Sequence, residues 1–351
     1  MVARRRLGLV YSYNENWVAG AYYIMNIIHG LNAVEDHRKP ELNILTETEE
    51  NFNTIKNETQ YPYLNFVKFP LKTHYNFIER FINKLSQRCL GRKLIDKTVK
   101  LPPLDFIYPK QVSKAGISVK KVNWIPDFQE DHLPQFFSSE EVKRRKNHQR
   151  NVVAKGDVVV LSSQSAKSDF ERLYPKARAK PFVLPFAVTH PDFSFEDIKQ
   201  LRTKFGLPEN YFFAPNQFWA HKNHMVILKA IKQLKDSVID ITIAMSGKED
   251  DYRNRSNFQA LNDYLSEYEL ADQIKFLGFL PRTEQLCLFS HARAIIQPSL
   301  FEGWSTVVED AKALSKYLIL SDLDVHKEQT EGLEVSFFDP YNAMELSLIH
   351  I

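Results

Sequence analysis

The chain has 351 residues, of which 44% are hydrophobic and 25% are charged. That length is too great for one ordinary core and predicts two domains of about 150 to 200 residues each. The composition is typical of a folded globular protein and excludes long disordered or fibrous segments. Because the formal net charge is only +3, it gives no indication of a polyanionic partner, and no nucleic acid is expected.

The first residues, MVARRRLGLVYSYNENW, have a basic start but only a short apolar run, so we predict no signal peptide. No segment approaches the roughly 18 uninterrupted apolar residues that cross a bilayer. We therefore expect a cytoplasmic protein, and any contact with a membrane would be peripheral, at the inner face of that membrane. The cysteines, Cys89 and Cys287, fall in different predicted domains and are expected to be reduced and partly buried.

In the first half, β-rich runs alternate with amphipathic helical patterns, as in parallel sheets flanked by helices. The predicted strands are Leu7–Ser12, Leu42–Thr46, Leu64–Phe69, Leu104–Ile107, Lys121–Ile125 and Val158–Leu161. The predicted helices are Ala19–Leu31, Asn76–Leu90 and Ser165–Leu173.

Two basic segments of the first half have open interpretations. The helical segment Tyr75–Leu94 mixes apolar and basic residues, which favours core packing with a solvated basic face and leaves a peripheral membrane or lipid-linked acceptor surface as the alternative. The run KRRKNHQR, Lys143–Arg150, predicts a solvated helix or loop, with contact to an anionic membrane or acceptor as the alternative.

The alternation breaks at VLPFAVTHPDFSFEDIKQLRTKFGLPENY, where prolines and a polar helical segment separate two strand candidates. We place the hinge near Thr189–Phe195, with domains at 1–190 and 191–345. The predicted strands after it are Tyr211–Ala214, Asp240–Met245, Ile274–Leu277, Ala294–Gln297 and Tyr317–Leu320. The predicted helices are His224–Leu234, Asn257–Tyr268, Thr283–Ser290 and Ser305–Ser315. Two Rossmann-like halves of this kind bind ligands in a cleft at the carboxyl ends of their strands.

The carboxyl end reads FFDPYNAMELSLIHI, in which FFDPYNAME predicts a closing helix. The hexapeptide LSLIHI is also encoded by CTG TCT CTT ATA CAC ATC, which has the look of a library-adapter sequence. We therefore expect the natural chain to continue differently and assign no structure to Leu346–Ile351.

The most informative run is IIQPSLFEGWSTVVEDAKALSKYLILSD, which predicts a buried strand, a turn, a helix and a second strand. The free amides and positive dipole end of such a helix start favour a diphosphate. Gly303 would let the backbone approach a ligand closely. Glu302 and Asp310 flank this turn, and carboxylates accept hydrogen bonds from vicinal hydroxyls. The alternative is an exposed helix start, capped by Ser305, that merely carries two acids.

This run resembles the hallmark of glycosyltransferase family 4, the retaining group 1 transferases, in which E-x7-E follows a Pro-Ser pair. The first Glu falls on Glu302 and the second position on Asp310, with Glu309 one position early as another ribose partner. The resemblance implies that Glu302 contacts donor-sugar hydroxyls and Asp310 the ribose. The backbone amides implied to bind the donor are those of Trp304, Ser305 and Thr306.

A second run, FFAPNQFWAHKNHMVILKAI, predicts a strand, a loop and a helix. In the family the matching loop supplies an Arg and a Lys to the donor diphosphate. The Lys position falls on Lys222 and the Arg position on Gln217, so one positive charge is missing and His221 or His224 is expected to compensate. A cation facing a leaving diphosphate stabilises charge that develops in the transition state.

Weaker resemblances complete the predicted site. AMSGKEDD and FLGFLPRTEQL follow successive strands where the family forms its base and phosphate wall. In the first half, YNENWVAGAYY matches a glycine-rich turn with Ala19 in place of one Gly, and WIPDFQ has Pro126 where relatives often have His. The further donor-binding candidates are Gly20, Gly247, Lys248, Gly278 and Phe279. Asp127 is a candidate acceptor contact.

The resemblance implies a GT-B fold, α/β with two Rossmann-like domains facing a cleft, the first on the acceptor side and the second holding the donor. It also implies a retaining transferase of hexosyltransferase type that uses a UDP- or GDP-linked sugar and a saccharide or lipid-linked acceptor. Bacterial surface polysaccharide or glycolipid assembly is the expected setting. Catalytic roles are assigned to Glu302, Lys222 and Asp127, and no cofactor or metal is expected. The alternatives are a nucleotide-sugar epimerase of the same fold, a catalytically decayed nucleotide-sugar-binding protein, and a membrane-associated assembly component.

Overall fold

The structure is a computed structural model that describes residues 4–12, 18–69, 76–90, 94–95, 101–110 and 119–349. The chain forms two compact units. The first comprises Met1–Ile125, Arg150–Val160 and Lys176–Phe182. The second comprises Pro126–Gln149, Leu161–Pro175 and Val183–Ile351.

A seven-stranded sheet organises the first part of the chain. Its strands are β1 Arg6–Val10, β2 Glu41–Thr46, β3 Leu64–Lys68, β4 Phe106–Tyr108, β5 Lys120–Ile125, β6 Val158–Leu161 and β7 Lys180–Val183. They are arranged in the order β3-β2-β1-β4-β5-β6-β7. The helices between them are α1 Val18–Asn32, α2 Glu49–Thr59, α3 Phe77–Leu90, α4 Gln129–His132, α5 Ser139–Lys155 and α6 Gln164–Leu173.

A six-stranded sheet organises the second unit. Its strands are β8 Phe212–Ala214, β9 Ile243–Met245, β10 Ile274–Phe276, β11 Ile295–Gln297, β12 Leu318–Ser321 and β13 Ser336–Phe338, in the order β10-β9-β8-β11-β12-β13. The helices are α7 Ile198–Phe205, α8 His224–Asp236, α9 Asn257–Glu267, α10 Arg282–His291, α11 Thr306–Ala313, α12 Asp324–Gln329 and α13 Ala343–Leu348. The paired strands run parallel, as in β11 and β12, where Ile295 lies opposite Leu318.

The second sheet is buried on both faces. Along β9, Ile243 and Met245 pack into the cluster on one face, whereas Ala244 packs into the cluster on the other. This alternation follows from the two-residue period of a strand, and burial on both faces is typical of parallel sheets covered by helices. The predicted α/β fold with two Rossmann-like sheets is confirmed.

Three expectations from the sequence need correction. Leu346, to which we assigned no structure, lies in α13 and packs into a core cluster at 7% exposure. Cys287 is buried as expected, but Cys89 is exposed, and both thiols are free. In α5, Arg145 forms ion pairs and is not simply solvated.

The apolar side of α3 is the fourth correction, because it does not pack into a core. Phe77 and Phe81 are exposed, whereas Asn83 and Ser86 are buried. Across the described part of the chain, no helix has the length and apolar character needed to cross a membrane.

Candidate functional site

The candidate site lies where the strand order of the second sheet reverses. Strands β8 and β11 are neighbours in that sheet, although two other strands separate them in sequence. At such a point, the connections that follow the two neighbouring strands run toward opposite edges of the sheet. The loops after these strands therefore separate and open a crevice, which is where α/β proteins bind ligands. The β8 loop carries Lys222 and the β11 loop carries Glu302.

Lys222 and Glu302 form a largely buried ion pair. The Lys222 Nζ lies 2.6 Å from Glu302 Oε1, with side-chain exposures of 18% and 9%. The same oxygen accepts hydrogen bonds from Gln297 Nε2 at 2.7 Å and Ser299 Oγ at 2.6 Å. Three donors therefore converge on Oε1, which fixes the carboxylate rigidly. Because these hydrogen bonds from described residues all fall on Oε1, Oε2 is the oxygen suited to accept a ligand hydroxyl.

Buried polar side chains at the ends of neighbouring strands support the pair. Asn216, just after β8, donates from Nδ2 to Gln297 Oε1 at 2.7 Å. Ser321, at the end of β12, donates from Oγ to the carbonyl oxygen of Ser299 at 2.6 Å. Sequence reasoning missed Asn216, Gln297, Ser299 and Ser321. Their shared signal is a polar residue that ends or follows a buried strand of a parallel sheet.

The carboxyl of Glu302 is held in its ionised form. Burial alone would raise its pKa, but the ammonium of Lys222 and the hydrogen bonds from Lys222 and Ser299 outweigh burial and hold that pKa below its usual range. An ionised carboxylate only accepts hydrogen bonds. Glu302 is therefore suited to orienting hydroxyl groups and not to donating a proton.

The expectation that a histidine supplies the missing positive charge is wrong. Burial, followed by the neighbouring Lys222, lowers the pKa of His221 and of His224 to about 3. Both rings are neutral near pH 7. Neither histidine therefore supplies the positive charge that is missing because Gln217 stands at the family's Arg position.

Helix α11 begins with the Ser305 cap that the sequence predicted. Gln329, which the sequence analysis did not identify, also holds this helix start. Ser305 is the N-cap, and its Oγ accepts from the Val308 amide at 3.4 Å. Gln329, 3% exposed, accepts from the Ser305 amide at 2.9 Å and donates to the Ser305 carbonyl at 3.1 Å. The Ser305 amide is thus engaged inside the protein. Thr306 is the first helical residue, and Trp304 Nε1 donates to the carbonyl of Phe186 at 2.9 Å.

The two acids of α11 have different partners. Asp310 accepts on Oδ1 from Arg282 at 2.5 Å and from His190 at 2.9 Å, and its side chain is 4% exposed. Glu309 accepts on Oε1 from Lys312 and Gln329, both at 3.0 Å. Sequence reasoning missed Arg282 and His190. Both contacts of Asp310 fall on one oxygen, as they do at Glu302.

Gly303 brings a separate segment of the second unit next to Glu302. A Cβ atom at Gly303 would lie 2.6 Å from the Pro126 carbonyl oxygen and 2.8 Å from Asp127 Cβ. The glycine is therefore required by the chain itself. Asp127 accepts on Oδ1 from Arg145 at 2.9 Å and from the Gln129 amide at 3.1 Å. The structure thus places candidate Asp127 beside the Glu302 loop.

Arg253, which the sequence analysis overlooked, anchors the same segment. Its guanidinium pairs with Glu141 at 2.9 Å and lies over the rings of Phe137 and Trp219, at 4.1 and 5.6 Å from their centroids. Arg253, Glu141 and Phe137 line a cleft of about 680 Å³, which Tyr252 also lines. Arg253 therefore links α5 to the β8 loop that carries Lys222.

The loops that follow β8, β9 and β10, where the nucleotide base and phosphates are predicted to bind, contact one another. A Cβ at Gly247 would lie 2.2 Å from the Asn216 carbonyl oxygen and 2.7 Å from Gln217 Cα, so the two loops touch. The Gly247 amide donates to the Gly278 carbonyl at 2.9 Å. Lys248 Nζ lies 5.5 Å from the ring centroid of Phe279, which is 63% exposed.

Gly20 is the one predicted donor contact in the first unit, within the first turn of α1. The other predicted site residues belong to the second unit. Among the described residues, no group of three or more His, Cys, Asp or Glu side chains could hold a metal ion.

The chain is similar to known proteins in sequence and in fold. Residues 197–348 match the profile of the family described as glycosyl transferases group 1. The O-antigen chain mannosyltransferase RfbU of Salmonella typhimurium is 29% identical over 176 residues, which cover 50% of this chain and 45% of that protein. The match therefore spans less than half the length of that relative.

Solved structures share the fold of almost the whole chain. HepE from Anabaena in complex with UDP and glucose superposes with a TM-score of 0.62 at 14% identity, covering 99% of this chain and 89% of the other. A glycosyltransferase from Rickettsia africae gives 0.63 at 14% identity, covering 100% and 88%. The predicted GT-B fold is confirmed, and Lys222, Glu302 and Asp310 lie within the residues that match the group 1 glycosyl transferase profile.

Proposed function

We propose that this protein is a retaining glycosyltransferase that moves a sugar from a UDP- or GDP-linked donor to an acceptor hydroxyl. The observation that carries the proposal is the buried pair of Lys222 and Glu302, 2.6 Å apart, at the strand-order reversal of the second sheet. A cation and a fixed, ionised carboxylate at that position fit the two ends of a nucleotide-sugar, its diphosphate and its sugar hydroxyls.

Each group has a specific proposed role. Glu302 orients the donor sugar through Oε2, because its Oε1 already accepts three hydrogen bonds. Lys222 and the amides of Trp304 and Thr306, on either side of the engaged Ser305 amide, stabilise the departing diphosphate. As the bond from the anomeric carbon to the diphosphate breaks, the acceptor oxygen bonds to that carbon and its proton passes to the diphosphate. Lys248 is proposed to supply the charge that Gln217 lacks.

The biological setting is proposed from the relatives. RfbU is an O-antigen chain mannosyltransferase, and HepE was solved with UDP and glucose. We propose bacterial surface polysaccharide assembly, with a hexose such as mannose or glucose as the transferred sugar. Retention of configuration rests on the family resemblance.

The first test is thermal unfolding with UDP, GDP and ADP in turn. A ligand at about 100 times its dissociation constant stabilises a protein by roughly 2.7 kcal/mol. We expect a shift with UDP or GDP that is reduced by Asp310→Asn and Lys248→Met. The control Asp322→Asn removes an exposed carboxyl of the same unit and should leave the shift intact. If no nucleotide raises the melting temperature, the donor-site assignment is wrong.

The second test separates the alternative functions. We expect release of nucleoside diphosphate from UDP-glucose or GDP-mannose, lost in Glu302→Gln although nucleotide still binds. A nucleotide shift without any turnover would favour the decayed binding protein, and conversion of the donor without an acceptor would favour an epimerase. Proton NMR of the product would show whether the anomeric configuration is retained.

A further inference from the structure

Helix α3 carries its apolar side chains on the side that faces water. Four of them are exposed, Phe77 by 84%, Ile78 by 66%, Phe81 by 61% and Leu85 by 56%. At 3.6 residues per turn they fall within an arc of about 100° on one side of the helix. Single apolar side chains are common at protein surfaces, but a contiguous row marks an interaction site.

The opposite side of α3 is polar and fixes the orientation of the helix. Asn83 and Ser86 are buried, at 7% and 5% exposure. The Asn83 side chain donates to the Ile95 carbonyl at 2.8 Å and accepts from the Ile95 amide at 2.9 Å. At the helix start, Asn76 and Glu79 each accept a hydrogen bond from the other's amide, which is a capping box. Turning the apolar row inward would break the bonds to Ile95.

Basic side chains border the apolar row. Arg88 projects within the same arc, and Lys84 and Arg80 project about 20° and 60° beyond its edge. All three are exposed. The acid of this helix, Glu79, is half-buried at the start of α3 and engaged in the capping box. The exposed face therefore combines large apolar groups with positive charge.

We propose that this face of α3 docks on the surface of a membrane that contains anionic phospholipids. The helix lies in the plane of the interface, with Phe77, Phe81 and Leu85 inserted among the acyl chains. Arg80, Lys84 and Arg88 extend their aliphatic stems toward the phosphate layer. A second copy of the chain is a poorer occupant, because two-fold pairing of this face would bring like charges together. The proposal does not depend on the proposed reaction.

Co-sedimentation of the full chain with lipid vesicles tests the proposal. We expect binding to vesicles of phosphatidylcholine mixed with phosphatidylglycerol, weak binding to phosphatidylcholine alone, and loss at high salt. Phe77→Ser with Phe81→Ser should abolish binding. Replacing a basic residue of α3 by Gln should lower the partition coefficient roughly fivefold for each charge removed.

Matched controls identify effects that are not specific to α3. Phe195→Ser removes a side chain that is 70% exposed in the second unit, and Lys56→Gln removes an exposed base from α2. Both should bind vesicles like the parent, and circular dichroism should show all variants folded. The proposal is overturned if the parent binds neither vesicle type, or if Phe77→Ser with Phe81→Ser binds as well as the parent. It is also overturned if that change disperses a dimer while vesicle binding persists.

Discussion

Replacing Lys222 by Met would remove the charge that stabilises the Glu302 carboxylate. The two groups are 2.6 Å apart with side-chain exposures of 18% and 9%. Removing one partner of a buried ion pair costs about 3–5 kcal/mol, because the other charge is left uncompensated. Gln297 and Ser299 still donate to the same oxygen. We therefore expect Lys222→Met to destabilise the second unit by about 3 kcal/mol, the lower end of that range.

The protein contains a matched ion pair for comparison. Lys232 and Asp236 are also 2.6 Å apart, but their side chains are 36% and 57% exposed on α8. Solvent screens such a pair, so Lys232→Met should destabilise the protein far less than Lys222→Met does. The contrast between the two lysines isolates the effect of burial.

The pH dependence of the Lys222→Met variant has a definite sign. In the parent, the pKa of Glu302 lies below its unfolded value of about 4.3, so its contribution to stability is present above that pH and is lost as pH falls through the folded pKa. Without Lys222, burial should outweigh the remaining hydrogen bond from Ser299 and raise this pKa above about 4.3, so that the variant loses stability as pH rises from about 4.3 through the raised pKa. The gap between parent and variant should therefore be smaller near pH 4.5 than near pH 7.

Urea unfolding of a double-mutant cycle measures these effects. Adding Glu302→Gln to Lys222→Met should restore most of the lost stability, because the uncompensated charge is then gone. Circular dichroism and tryptophan fluorescence at both pH values would give the free energies of unfolding. The reasoning is refuted if Lys222→Met costs less than about 1 kcal/mol, or if Glu302→Gln makes that variant less stable still.

Two other predictions concern backbone packing and the α11 helix start. Gly247→Ala should destabilise the protein by about 3 kcal/mol in thermal unfolding, because the new Cβ would lie 2.2 Å from a carbonyl oxygen. Gly30→Ala, in α1 with nothing within 4 Å of its Cβ position, should instead stabilise by about 0.5–1 kcal/mol. Gln329→Leu should cost about 2–4 kcal/mol and reduce the nucleotide-induced shift, since it leaves Ser305 and Glu309 without a buried partner. A normal shift in Gln329→Leu would count against its role in positioning the helix start.

The strands and helices near the candidate site could be predicted because their hydrophobic period is unambiguous. The strand predicted at Ala294–Gln297 is β11, Ile295–Gln297, and the helix predicted at Ser305–Ser315 is α11, Thr306–Ala313. Single-residue patterns do not reveal the order of strands in a sheet, because order depends on long-range packing. The adjacency of β8 and β11 therefore had to come from the structure.

The contacts of buried polar groups were harder to predict. His221 and His224 looked like possible cations in the sequence, and only their burial shows that both are neutral. Gln329 lies 24 positions after Ser305, and nothing in its local sequence separates it from a surface residue. For α3 the helical period was predicted correctly, but the apolar side was expected to face the core, whereas the hydrogen bonds between Asn83 and Ile95 hold the polar side inward.

The arrangement of partners would allow the proposed donor site to hold two buried acids and still bind a ligand. Glu302 and Asp310 are each paired with a cation, Lys222 and Arg282, so neither acid is left as an isolated buried charge. In both, the hydrogen bonds fall on a single oxygen, Oε1 or Oδ1. Among the described residues, these hydrogen bonds leave the second oxygen of each carboxylate as the one suited to accept from a ligand. Because these carboxylates are already fixed by the protein, the proposed binding of a sugar or ribose hydroxyl there would not require the protein to reorganise, which is the condition for effective electrostatic preorganisation.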